Sequence, residues 1–151
     1  MKTLVLGVGN LLLQDEGAGV RALEEFSGRY TLPDGVELLD GGTSGLELLQ
    51  HLEGRDRLIV IDVVRSGQPP GSVLRMEGTE VPALFRQKIS PHQLGIADLL
   101  ATAQLTGILP GKLLLLGIEP KSMDTGLTMS EEVVRGLKLL VDMLAQELWQ
   151  A

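Results

Sequence analysis

The apolar positions of this chain change period repeatedly, and the changes mark its elements. Thr3 to Val8 carries Leu4, Val5 and Leu6 in a short run that predicts a first strand. Val20, Leu23 and Phe26 then fall at helical spacing and predict a first helix from Asp15 to about Ser27. Pro33-Asp34-Gly35 is a turn. Val36 to Leu39 predicts a second strand, ended by Asp40-Gly41-Gly42, and Thr43 or Ser44 can cap a helix carrying Leu46, Leu48 and Leu49. Arg57 to Val64 holds four consecutive apolar residues, the pattern of a strand covered on both faces, and is expected at the sheet centre. The Arg65–Gly71 connection is too short for a parallel crossover, so Ser72 to Glu77 is expected to run antiparallel. Ser90-Pro91 starts a helix bearing Leu94, Ile96, Leu99 and Leu100. Leu113 to Ile118 is the last strand, and Thr128 to Ser130 caps a final amphipathic helix through Val133, Leu137, Leu140, Val141 and Leu144.

Strands alternating with helices in this order predict a mixed, mostly parallel sheet between two helical layers, a three-layer α/β/α sandwich. Ligands of such sheets sit beyond the carboxyl ends of the parallel strands. Four segments converge there: the loop from Asn10 to Glu16, the turn from Asp40 to Thr43, the end of the third strand at Asp62, and the helix start at His92.

Composition narrows the use of that rim. The 151 residues suit one domain spanning 1–151, and with 44% hydrophobic but only 3% aromatic residues its core is built from Leu, Val and Ile. A formal charge of −7 weighs against nucleic acid or an anionic membrane as partner. The absence of cysteine excludes thiolate metal sites and a cysteine nucleophile. Lys2 and the apolar run after it superficially resemble a secretory signal, but Gly7, Gly9 and Asn10 interrupt the run and acidic residues follow it. No apolar stretch approaches the roughly 20 residues that span a bilayer. A cytoplasmic protein without membrane insertion is expected.

Gly7-Val8-Gly9-Asn10, followed by Asp15-Glu16-Gly17-Ala18-Gly19, invites a dinucleotide-loop reading. That loop needs a third glycine, and Leu12 stands there; Asp15 and Glu16 would also repel a phosphate. A nucleotide-dependent oxidoreductase is therefore disfavoured, and a loop presenting Asn10, Asp15 and Glu16 suits a cation or a polar substrate. Glu16, Asp62 and His92 combine two carboxylates with an imidazole, a donor set for nickel, zinc, manganese or iron. In the first turn of a helix the dipole disfavours imidazolium and keeps His92 in the neutral form that binds metal. The adjacent Gly41 and Gly42 allow a peptide to approach the backbone while Asp40 accepts hydrogen bonds or acts as a base. His51 reads as a solvated residue at a helix end, and Glu119 has no partner that sequence can name. H-E-x-x-H and related spacings are missing, so the chain is not a zincin.

The opening G-x-G-N with its D-E-G-x-G, the D-G-G-T-x-G turn from Asp40, the aspartate closing the third strand, Ser90-Pro91-His92 and Gly117-Ile118-Glu119-Pro120 together resemble the nickel-iron hydrogenase maturation endopeptidases. The resemblance covers nearly the whole chain. It implies an α/β/α sandwich of the phosphorylase/hydrolase-like kind with a five-stranded mixed sheet. It also implies an aspartic-type endopeptidase that removes the C-terminal extension of the nickel-iron hydrogenase large-subunit precursor. Glu16, Asp62 and His92 are implied as ligands of the nickel carried by that substrate, and Asp40, with Asp62 and Glu16, as catalytically required. A noncatalytic nickel-binding maturation chaperone using the same ligands is the alternative.

Overall fold

Thr3–Val8 forms β1, buried at every position. A 3-10 turn over Gln14–Gly17 leads into α1, Ala18–Arg29. Val36–Gly42 is β2, a short 3-10 turn over Leu46–Leu48 runs into α2, Leu49–Leu52, and Arg57–Val63 is β3. Then follow β4, Val73–Glu77; α3, Glu80–Arg86; α4, Pro91–Leu105; β5, Lys112–Ile118; and α5, Glu131–Trp149. This computed structural model describes residues 1–86 and 91–149; the side chains of Arg86, Pro91 and His92 are outside the described set. The expected Ser90 cap lies outside the described residues.

The five strands order as β2-β1-β3-β5-β4. Four run parallel, and β4 pairs antiparallel with β5, as the short Arg65–Gly71 connection requires. β3 takes the central place its unbroken apolar run predicts. Alternation along the strands divides the core into two layers. Val5, Ile59, Ile61, Leu114 and Leu116 face α1 and α5. Leu4, Leu6, Leu58, Val60 and Leu115 face α2, α3 and α4. A buried Leu or Ile side chain contributes about 1.5–3 kcal/mol, so the two aliphatic layers sustain the sandwich with few aromatic rings.

Sequence and structure part company at three local points. α3 was not expected, because Val81 and Phe85 supply only two buried positions in one short amphipathic turn. The segment after β2 has no side-chain cap: Gly45 takes the cap position, and its amide donates to Glu47 Oε1 at 2.9 Å. The predicted first helix opens as a 3-10 turn, because the backbone from Gln14 to Glu16 is tied to other loops.

α1 and α5 lie side by side on one face, joined at their rims by Asp142. Tyr30 Oη donates to Asp142 Oδ1 at 2.7 Å and Arg29 pairs with the same carboxylate. The Tyr30 hydrogen bond, with Arg29 adding to it against the opposing effect of burial, holds the Asp142 carboxyl below its ordinary range. A carboxyl with a depressed folded-state pKa stabilises the fold fully above its unfolded value, about 3.9, and loses that contribution as pH falls through the lower folded value. Asp142→Asn should therefore be less stable than wild type at about pH 6, with the difference shrinking below about pH 4, as read from urea unfolding midpoints across that range.

Candidate active site

The carboxyl ends of β1, β2, β3 and β5 share one edge of the sheet. What brings the acidic loop onto that edge is the absence of side chains. A Cβ on Gly9, whose φ is +138°, would lie 1.8 Å from the Glu16 carbonyl oxygen. A Cβ on Gly19 would lie 2.3 Å from the carbonyl oxygens of both Val8 and Ile61. The glycines read from sequence as a failed phosphate loop thus serve as a contact surface between backbones. They seat the start of α1 on the ends of β1 and β3.

The two consecutive acids in that turn have different tasks. Asp15 is fully buried, and its carboxylate accepts the amides of Lys121 (2.8 Å), Ser122 (2.9 Å) and Ser130 (2.7 Å) as well as the Ser130 hydroxyl (2.9 Å). It organises the loop between β5 and α5 and is not presented to a ligand, contrary to the reading from sequence. Asn10 is half-buried, with its Oδ1 accepting the Leu12 amide at 2.9 Å. Glu16 remains at the rim, 6% exposed.

Asp62 is fully buried on the face of β3 that meets α4. Its Oδ1 accepts the Val63 amide at 2.8 Å, and its Oδ2 accepts Gln93 Nε2 at 3.2 Å. The same Gln93 nitrogen donates to the Val63 carbonyl at 3.0 Å. Gln93 therefore fastens the first turn of α4, and with it the backbone of His92, to the end of β3. A second fastening is close by: a Cβ on Gly45 would lie 2.9 Å from the Cα of Gly95, so α4 abuts the glycine turn after β2. The His92 side chain is not among those described, and no trio of metal-ligating side chains occurs within the described set.

Asp40 is exposed at the end of β2, with Oδ1 accepting the Gly42 amide at 2.9 Å. Register places Asp40 beside Gly7 and Gly7 beside Ile61, so Asp40 faces the α1 side of the sheet while Asp62 faces α4. Two strand spacings, about 10 Å, and opposite faces separate their backbones. They share the rim without forming a proton-sharing carboxyl pair. Glu47, next along this turn, is held below its ordinary range chiefly by the Gly45 amide and by its own.

Glu119, without a nameable partner in the sequence, closes the rim on the other side. Its Oε1 accepts the Ser66 amide at 2.7 Å, the Ser66 hydroxyl at 2.8 Å and the Gln68 amide at 3.3 Å, pinning the loop after β3. Sequence reasoning missed the roles of Gln93, Asp15 and Glu119. Gln93 stands next to a histidine already singled out, which is the one signal available for it. His51 lies near the end of α2, half-buried and away from this rim.

A family model described as hydrogenase maturation protease matches residues 20–147. The hydrogenase 2 maturation protease of Escherichia coli K12 is 51% identical over 89% of this chain and 84% of its own length. A hydrogenase expression/formation protein of Azotobacter chroococcum is 48% identical over 80% of this chain, which spans 58% of that relative. Among solved structures, the hydrogenase maturating endopeptidase HybD from E. coli superposes with a TM-score of 0.93 at 46% identity, covering 98% of this chain and 92% of that one.

The geometry makes Asp15 a stability residue. Asp15→Asn turns an amide nitrogen toward groups that are themselves donors, and should cost about 2–4 kcal/mol in chemical denaturation. Hydrogen exchange should show faster opening of residues 121–130, with the centre of the sheet protected as before.

Proposed function

This chain belongs to the hydrogenase maturation protease family, whose members are hydrolases acting as endopeptidases on the hydrogenase large-subunit precursor, and from that premise we propose how its rim works. Glu16, Asp62 and His92 read the nickel that a nickel-iron hydrogenase precursor carries, and the C-terminal extension is cut only from nickel-loaded substrate. The observation carrying this reading is the buried Asp62 carboxylate, tied by Gln93 to the helix turn that bears His92, on the same sheet edge as Glu16. Two carboxylates and an imidazole leave coordination positions open and bind a metal weakly unaided, so tight engagement requires a precursor that brings its own ligands. Nickel is then part of the substrate.

Hydrolysis needs a water deprotonated as it attacks the scissile carbonyl, and a proton returned to the departing amine. Asp40 is suited to the first task. It is exposed, it lies beside a turn whose glycines admit a peptide backbone, and Gly42 orients its carboxylate. Asp62 and Glu16 act on the same reaction by placing the metal-bearing end of the substrate. The enzyme is aspartic-type in using carboxylates, with its acids divided between metal reading and water activation. Its place of work is the cytoplasm, and no helix among the described residues is long and apolar enough to cross a membrane. The alternative reading, a nickel-binding chaperone, would bind the same precursor and leave it intact.

Incubation with large-subunit precursor, with and without nickel, decides between these readings by gel mobility and mass. Wild-type protein should shorten only the nickel-loaded form. Asp40→Asn should lower kcat by about 10²–10⁴-fold while nickel-dependent binding persists. Glu16→Gln, Asp62→Ala and His92→Ala should instead weaken binding of the nickel form, and cleavage at the wild-type rate by any of the three would remove that residue from the assignment.

A further inference from the structure

Four leucines stand in water on loops and helix starts around the rim: Leu12 (60% exposed), Leu46 (48%), Leu94 (47%) and Leu127 (66%). An exposed leucine by itself carries no message, since much of any folded surface is apolar. Their arrangement does. The Leu12 carbonyl accepts the Gly126 amide at 2.8 Å and the Gln14 amide donates to the Gly126 carbonyl at 2.9 Å, so Leu12 and Leu127 occupy two chain segments paired by their backbones. This pair belongs to the side of the sheet end where α1 and α5 begin. Leu46 and Leu94 flank the Gly45–Gly95 contact on the α4 side, and Leu94 directly follows Gln93, the donor to Asp62.

Arg65 adds a charge to this frame. It lies three residues beyond Asp62, exposed, in a loop whose next residue is pinned by Glu119. It makes no ion pair among the described residues, whereas Lys121, also at this end, is paired with Glu132 at 2.7 Å. In a chain of net charge −7, a guanidinium held ready beside an acidic rim favours a partner with a carboxylate of its own.

We propose that Leu12, Leu46, Leu94, Leu127 and Arg65 form a docking collar for the folded body of the large-subunit precursor, meeting apolar surface and an acidic group around the point where its C-terminal segment emerges. The proposal rests on the peptidase reading above. An extended peptide follows a single line through a site, whereas this collar reaches from the α1 side of the sheet end to the α4 side, so a partner with a broad surface engages all of it. It is continuous with the rim at which the proposed reading places the precursor's C-terminal segment.

The test pairs precursor-cleavage kinetics with equilibrium binding to nickel-loaded precursor. Leu12→Ser with Leu127→Ser, and Leu46→Ser with Leu94→Ser, should each raise KM and Kd about tenfold or more while kcat stays within about twofold. Arg65→Glu should raise both and reduce their dependence on salt. Leu105→Ser, 88% exposed at the far end of α4, should change nothing. Wild-type KM and Kd in the collar variants, or losses confined to kcat, would overturn the collar. Failure of wild-type protein to shorten the precursor would instead overturn the peptidase reading, and the binding arm still judges the collar in that event. Should a leucine pair melt early, Arg65→Glu decides alone, because its side chain holds no ion pair within the described fold.

Discussion

The whole rim depends on backbone meeting backbone where β1 passes into α1. Gly9 lies against the Glu16 carbonyl and Gly19 against the ends of β1 and β3, at separations that admit no Cβ. Any side chain there would lift the start of α1 off the sheet. With the contact made, two neighbouring carboxylates part company: Asp15 is driven inward to four donors of the loop before α5, and Glu16 is left at the edge. One steric constraint thereby joins the first loop of the chain to the last and sets where Glu16 sits at the sheet edge.

The same constraint explains what the sequence could and could not reveal. The sheet was legible because its strands are unbroken aliphatic runs, and the antiparallel β4 because a connection holding Gly67, Pro69, Pro70 and Gly71 is too short to cross over. Asp62 was legible as a lone acid closing an apolar strand, and Glu16 as a charge that spoils a phosphate loop. Asp15 was misread, since an acid in a glycine-rich turn looks alike whether it faces a ligand or a distant backbone. Its partners lie more than a hundred residues away. Glu119 and Gln93 were silent for the same reason: both act through backbone groups or buried atoms that no local pattern encodes.

The division of the acids by sheet face bears on mechanism. Asp62 and Asp40 project from opposite faces with β1 between their strands, so the two carboxyl groups are set apart and do not form a directly paired dyad. In the proposed reading, that separation gives recognition to one carboxylate and proton transfer to the other.

The Asp15 and Glu119 clamps have a thermodynamic consequence. Each fixes the backbone of a rim loop through several charge-assisted hydrogen bonds, so the ordering of those loops is completed during folding. A large rigid protein landing on loops already in place freezes little further motion. Its association should therefore carry a small conformational-entropy penalty and a heat-capacity change set by the apolar area covered, the signature of a preorganised surface.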